Sequence, residues 1–387
     1  MQPACIVGIA ETRYARRGGI QDRSEFQLAC QAAAAAAADA GLRTSDIDGF
    51  SVFVESTMYA AHLQRALGMR QLNHSSSVWG GRGGGACGAL AHAVQAVQSG
   101  AARHVLVFRS LCQGNGRRRY GQVDLNRVNA GFDAPFGLLS MPQMCGLIVE
   151  RYRHEHGLDE ETLATVALVC RDNAQRNPRA VMHGVPLTLQ GYLAARRVAG
   201  PFRLNDCCLE TDGAAALIVT TQERARDLQA RPVQVLAALQ GTEAAWGDGE
   251  TGHNAPDAIY ATANQRRLAE RLFARAGIAH ADVDVMQIYD AFTGMVPLTL
   301  EDFGFCGRGE AGAFLREAGI HWNGGRLPVN THGGSLSEAY VHGLNHVLEG
   351  VRQLRGTSTS QVEDARVCVV TSASMISPTS AAVLAAA

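Results

Sequence analysis

The sequence contains no lysine: all 35 of its basic residues are arginine. Schiff-base aldolases, pyridoxal enzymes and P-loop phosphotransferases each depend on a lysine amine of the chain, so those chemistries are excluded. Aromatic residues are sparse at 6% and charged residues reach only 18%. With 35 basic against 36 acidic residues the net charge is −1, which offers no basic footprint for nucleic acid or an anionic membrane. The most apolar run, Ala32 to Ala38, is too short to span a bilayer and ends at Asp39. The opening MQPACIVGIAETR lacks the basic and then apolar regions of a secretory signal. The 10 cysteines show neither C-x-x-C spacing nor a disulfide framework, and read as buried thiols of a reducing compartment. A soluble, cytoplasmic protein is expected.

What is present is a large apolar reserve. Hydrophobic residues make up 47% of 387 residues, enough for a sizeable core and more than one ordinary domain. Residues 38–55 (ADAGLRTSDIDGFSVFVE) and 274–291 (ARAGIAHADVDVMQIYDA) share an alanine-rich helix ending at Gly41 or Gly277, a D-[IV]-D turn and a β-rich run. A second pair follows in the same order: a glycine cluster, a helix and the strand HVLVFR in residues 80–109, then Gly-Gly, a helix and the strand RVCVVTS in 333–372. Strands alternating with helices predict an α/β fold with a mainly parallel sheet, duplicated as two layers packed back to back. Chance likeness of alanine-rich helices is the competing explanation, and the recurrence of two elements in order weighs against it. The halves are expected at 1–230 and 231–387. An insertion over about 111–203, with a helical segment from Pro142 to His154, caps the first half where ligand sites are commonly built.

The duplication, with its loop insertion, resembles the thiolase superfamily over essentially the whole chain. Thiolases carry a nucleophilic cysteine at the start of the first half's long helix, an N-E-A-F motif, a glycine-rich motif containing a catalytic histidine, and a C-terminal cysteine. Here the slots read Gly83 within GGRGGGACG, then Tyr289-Asp290-Ala291-Phe292, then NTHGGSLSEAYVHG with Tyr340 in the histidine position, and TSASMISPTSA without cysteine. Thiolysis needs a thiolate to accept the acyl group, so ordinary thiolase activity is not expected. Cys87 lies one helical turn past Gly83; it is either a rescue nucleophile or, more commonly for such a residue, a core thiol. The altered motifs, with LNDCCLETDG, LEDFGFCGRGEAGAF and EGVRQLRGTS, are similar to the steroid side-chain aldolases, cysteine-less relatives of the lipid-transfer-protein thiolases. That resemblance implies a layered α-β-α-β-α core, a homodimer, and a small zinc-ribbon/OB-fold partner protein. It also implies retro-aldol cleavage of a β-hydroxyacyl-CoA to a shortened acyl-CoA and a ketone or aldehyde. No cofactor is expected beyond the coenzyme A of the substrate.

A retro-aldol reaction needs a base for the β-hydroxyl and donors for a thioester enolate, but no acyl-enzyme. Tyr340 is the first candidate for acid or base, read as lying early in a helix whose amides assist a phenolate of reference pKa about 10. Asp290 is the second, as the group that orients Tyr340 or takes the proton; Tyr289 is a hydrogen-bond donor in the water-positioning slot. His332 is a third-motif residue facing the same cavity, and Glu338 reads as a helix-start carboxylate. Against each stands a plain reading as a core tyrosine, a strand-end residue or a satisfied histidine. Gly83, Gly84, Gly333 and Gly334 are the expected substrate-facing glycines, allowing close backbone approach. The aldolase relatives tend to have histidine where Ala291 stands, and an upstream tyrosine pair where residues 246–259 have none; either His253 substitutes or the substrate is smaller than a sterol chain. Arg117-Arg118-Arg119 reads as a contact for coenzyme A phosphates, a partner surface or a solvated charge run. His154-Glu155-His156 and the pair His342/His346 are the only compact histidine sets and lack a third ligand at metal spacing, so no protein-bound metal is expected. Two other readings stay open: a divergent thiolase or acyltransferase using Cys87, and a non-catalytic acyl-CoA or lipid-binding scaffold.

Overall fold

The computed structural model describes residues 2–53, 58–79, 82–115, 130–228, 231–246, 255–317 and 319–387. His253 and Arg117–Arg119 therefore lie outside the described residues. The first half runs β1 (Ala4–Glu11), α1 (Glu25–Asp39), β2 (Gly49–Phe53), β3 (His74–Val78), α2 (Ala86–Gln98) and β4 (Val105–Leu111). The insertion follows with α3 (Met141–His156) and α4 (Glu160–Arg176), before β5 (Thr211–Thr221). The second half runs β6 (Val233–Gly241), α5 (Arg266–Ala276), β7 (Val285–Gln287), α6 (Met295–Asp302), α7 (Leu344–Arg355), β8 (Val367–Thr371) and β9 (Thr379–Ala386).

The halves repeat one strand order. In space the sheet reads β7-β8-β9-β6-β1-β5-β4-β2-β3. Reading each half from its outer edge inwards, β2-β4-β5-β1 matches β7-β8-β9-β6. The edge strand β3 has its counterpart in a single bridge, Met286 to Val329. One expectation is corrected here. The sheet is mixed rather than mainly parallel: β2–β3, β2–β4 and β7–β8 are parallel, while β4–β5, β5–β1, β8–β9 and β9–β6 are antiparallel. The seven-residue link from Ser372 to Pro378 is too short for a parallel crossover, so β9 must return beside β8 in the opposite sense. The two layers are joined where β1 and β6 pair through Ala4–Val235, Cys5–Gln234 and Ile6–Val233.

The layering is α-β-α-β-α. Helices α2 and α7 lie between the two half-sheets, each touching strands of both. Every residue of α7 from Leu344 to Leu354 is buried, as a helix sandwiched between two sheets must be. Outside, α1 covers β1, β5 and β4, and α5 covers β6 and β9. Helix α1 is capped by Ser24, whose hydroxyl accepts from the Gln27 amide while the Gln27 side chain accepts from the Ser24 amide. Its buried face is Leu28, Ala29, Ala32, Ala33, Ala36 and Ala37. The small side chains let the helix approach β1 so closely that a Cβ on Gly8 would stand 2.1 Å from the Ala36 carbonyl oxygen. The alanine run is thus a packing surface. No helix among the described residues is long and apolar enough to cross a membrane.

Candidate active site

The C-terminal ends of β7 and β8, the start of α2 and the segment 330–343 converge beneath α3. The chain leaves β7 as Ile288-Tyr289-Asp290, extended, so that successive side chains face opposite ways. Tyr289 (2% exposed) points toward the start of α2, and its hydroxyl donates to the hydroxyl of Tyr340 (6% exposed) at 3.0 Å. Their rings meet edge to face, with centroids 6.3 Å apart. The two phenols are held together in an apolar surround that includes Leu111, Cys145, Val149, Met295, Ala373, Met375 and Ile376.

The glycine in the thiolase nucleophile slot has a steric function. A Cβ on Gly83 would lie 2.1 Å from the Tyr289 hydroxyl and 2.2 Å from its Cζ. The Tyr289 ring therefore occupies the space that a side chain at 83 would need. Gly343 makes the same allowance from the other side, its added Cβ standing 2.7 Å from Tyr289 Cδ2. Gly84 instead makes room for the chain at Pro378, whose carbonyl oxygen lies 2.4 Å from where its Cβ would be.

Tyr340 is not in a helix. A one-turn helix, Gly334–Ser337, ends at Glu338, and α7 begins only at Leu344. His342 (φ +48°) and Gly343 (φ +84°) are left-handed, which breaks the helix read there from the pattern. The residue is held by Thr211 at the start of β5 instead, whose hydroxyl accepts from the Tyr340 amide at 3.0 Å and donates to its carbonyl at 2.9 Å. Helix-dipole support for its phenolate, as expected from the sequence, is thereby lost.

Asp290 faces away from the tyrosines and is fully buried. One carboxylate oxygen accepts from the Ser335 amide at 2.6 Å and lies 3.3 Å from His346 Nε2; the other accepts from the Cys170 thiol at 3.5 Å. Burial pushes its pKa up, but the hydrogen bond and charge of His346, with the Ser335 amide, outweigh that and hold it below the usual carboxylate value. The expectation that Asp290 orients Tyr340 is corrected: it orients His346, whose ring packs 6.1 Å from that of Tyr289. Gly334 (φ +64°) permits this, because a Cβ there would sit 2.0 Å from Asp290 Oδ2. Gly333 (φ +110°) turns the chain against α4, its added Cβ meeting Ala174 Cβ at 3.0 Å.

His332 lies one layer further back. It is fully buried, edge-on to His346 at 4.8 Å, with Nε2 3.6 Å from Glu338 Oε2. Burial drives its pKa down to about 3, so it is a neutral ring of the supporting network. Glu338 is not a helix-start carboxylate but a buried acceptor for the amides of Asn177 (2.9 Å) and Asn345 (3.0 Å). Cys87 is core: its thiol donates to the Val370 carbonyl at 3.5 Å, and burial pushes it up to about 12, far from a thiolate. Among the described residues no three His, Cys, Asp or Glu side chains are grouped to hold a metal ion.

Three participants were missed by sequence reasoning. Tyr260 stands one residue beyond the stretch searched for the relatives' upstream tyrosines, and packs into the same apolar cluster as Tyr289 and Tyr340. His346 reads from the sequence only as half of a histidine pair with His342, and it lies instead on α7, where every residue from Leu344 to Leu354 is buried. Arg109 gave no signal beyond being a charge inside an apolar strand, HVLVFR; it is 7% exposed, and its Nε donates to His342 Nδ1 at 2.9 Å. The insertion is tied to the site by Asp206, which accepts from the hydroxyls of Thr293 (2.6 Å) and Tyr192 (2.7 Å). This places the motifs LNDCC and YDAFT side by side.

The fold defines a thiolase-fold protein, with Tyr289 and Tyr340 hydrogen-bonded to each other beside Gly83. Comparison with known proteins agrees: the Thiolase C-terminal domain-like family profile matches residues 245–386. The chain is 39% identical to the 17-hydroxy-3-oxo-4-pregnene-20-carboxyl-CoA lyase of Mycobacterium tuberculosis, over 98% of either chain. It is 38% identical to the steroid side-chain-cleaving aldolase of Thermomonospora curvata, over 99% of this chain and 98% of that one. A solved structure described as "Ltp2-ChsH2(DUF35) aldolase" superposes with a TM-score of 0.91 at 37% identity, covering 100% of this chain and 98% of that chain. The chain belongs to the steroid side-chain-cleaving aldolase family of thiolase-fold proteins.

Proposed function

We propose that the protein is a carbon–carbon lyase that cleaves a β-hydroxyacyl-CoA by a retro-aldol reaction, with Tyr340 and Tyr289 as its acid–base pair. The observation that carries this reading is the 3.0 Å contact between two buried phenols, one of which fills the space beside Gly83. In the reaction the phenolate of one tyrosine takes the proton of the β-hydroxyl, and that O–H electron pair becomes the carbonyl π bond. The α–β carbon bond breaks, its electrons passing into the thioester enolate. The second phenol then gives its proton to the α-carbon, and the pair re-equilibrates through the hydrogen bond it shares. No covalent intermediate forms, so the core position of Cys87 is no obstacle. The Asp290–His346 pair holds the Tyr289 side of the site rigid from behind, within a network that His332, Glu338 and Asn345 complete.

The substrate we infer, from the relatives' names, is a CoA thioester of a steroid side chain bearing a β-hydroxyl, and coenzyme A enters only as part of that substrate. The solved relative's title names a DUF35 protein, and we propose a partner of that zinc-ribbon/OB-fold class here. We also propose a homodimer: β3 is a sheet edge among the described residues, and Trp79 (90% exposed), which directly follows it, is uncovered. A cytoplasmic location fits cysteines that form no disulfide with one another. The test is to incubate the chain, co-purified with its partner, with 17-hydroxy-3-oxo-4-pregnene-20-carboxyl-CoA and analyse the products. A shortened acyl-CoA and a steroid ketone in equal amounts are expected; unaltered thioester under all partner conditions would favour a non-catalytic scaffold.

A further inference from the structure

The two hydroxyls of the pair are chemically identical, yet one must lose its proton and the other keep it. The surroundings are not symmetrical. Tyr340 has His342 packed edge-on to its ring at a centroid distance of 4.9 Å. Nδ1 of that histidine accepts from Arg109 Nε at 2.9 Å, and Arg109 reaches on to Glu25 at 3.4 Å. A guanidinium has no acceptor, so His342 must leave Nδ1 bare and carry its proton on Nε2. The histidine is thus fixed in one tautomer and in the left-handed backbone that places it against Tyr340. On the other side, Tyr289 faces His346 and, behind it, the fully buried carboxylate of Asp290. A guanidinium therefore stands behind His342 on the Tyr340 side, whereas the carboxylate on the Tyr289 side is already engaged by His346.

We infer that Arg109 is a positioning residue that makes Tyr340, rather than Tyr289, the proton acceptor of the pair. The inference rests on the tyrosine-pair reading above and adds a division of labour to it. The guanidinium side chain is only 8% exposed, so its charge acts through little water, whereas that of Glu25 is 33% exposed and more heavily screened. Burial pulls the Arg109 pKa down, and the charges of Glu25 and then of Tyr340 act to raise it again, so Arg109 and an ionised Tyr340 favour each other. Among the described residues, the charged and titratable side chains around the pair include Arg109 from β4, Glu25 from α1, Cys145 from α3, His342 from the 338–343 segment, His346 from α7, and Asp290. Among them Arg109 favours a phenolate on Tyr340.

The test is the pH dependence of kcat/KM, measured on the partner complex with 17-hydroxy-3-oxo-4-pregnene-20-carboxyl-CoA, for Arg109→Met, Arg109→Lys, Glu25→Gln and Tyr340→Phe. Activity should rise with pH as Tyr340 ionises. Arg109→Met should move that ascending limb up by about one pH unit, a roughly tenfold loss below the limb that is recovered above it. Arg109→Lys keeps the charge and should leave the limb near its original position. Glu25→Gln removes the partly compensating anion and should move the limb the other way, to lower pH. Opposite shifts from the two sides of one ion pair are not what a purely structural role gives. Should Arg109→Met fail to fold, Glu25→Gln and Arg109→Lys still decide the matter. A limb that stays put in Arg109→Met, or moves up in Glu25→Gln, overturns the inference even if Tyr340→Phe is inactive. If instead Tyr340→Phe retains turnover, it is the tyrosine-pair reading itself that falls.

Discussion

Tyr340→Phe should lower turnover by about 10²–10⁴-fold, the span usually contributed by a positioned acid or base. The ring is retained, so the apolar chamber, the edge-on contact with His342 and the Thr211 clasp on the backbone all persist. Only the hydroxyl is lost, and with it the 3.0 Å bond to Tyr289. Binding of the thioester should change little, so kcat carries the effect and KM does not. Thermal unfolding of the variant beside the parent shows whether the chamber is intact. A variant that folds normally and turns over at near the parent rate would remove Tyr340 from the chemistry.

The second large effect comes from one methyl group. Gly83→Ala adds a Cβ 2.1 Å from the Tyr289 hydroxyl and 2.2 Å from Cζ, a separation no packed pair tolerates. Gly83 has an ordinary backbone conformation, so the change acts through space alone and not through φ. Either the ring of Tyr289 or the start of α2 must move, and displacement of a reacting group by about 1 Å costs on the order of 10²-fold in rate. The loss should be strongly non-additive with Tyr289→Phe: once the hydroxyl is absent, displacing the ring costs little more. Independent, multiplying losses in the double variant would show that Gly83 serves something other than room for Tyr289. Cysteine, which thiolases carry in this slot, would meet the same obstruction, so restoring the nucleophile alone should not restore thiolysis.

How much of this was legible in the sequence depends on the distance over which each fact is decided. The lack of lysine, the duplication and the altered motif slots are statements about composition and order, and they led to the family. The helix proposed around Tyr340 failed because a helix-like pattern across 338–355 conceals two left-handed residues, and one of them, His342, is not glycine. The mainly parallel sheet failed because the returns into β5 and β9 are antiparallel, and for β9 the deciding feature is the shortness of a loop. Asp290 was credited with the wrong partner although strand alternation alone sends it away from the side that Tyr289 faces. By contrast, the fit of Tyr289 into the space at Gly83 joins the two halves of the duplication. No local pattern encodes it, and it became visible only once α2 and the end of β7 were seen to meet. Arg109 was hidden for a similar reason: an arginine within a run of apolar strand residues marks burial with a partner, but not which partner.

The claim on which the account stands is that carbon–carbon cleavage proceeds through phenols and never through sulfur. Quenching the parent complex in acid while 17-hydroxy-3-oxo-4-pregnene-20-carboxyl-CoA is turning over, and weighing the intact chain, tests it most directly. The account predicts an unmodified chain mass at every time point while ketone and shortened thioester accumulate together. A chain heavier by one acyl group, with the added mass mapped to Cys87 or any other cysteine and decaying as product forms, would contradict it.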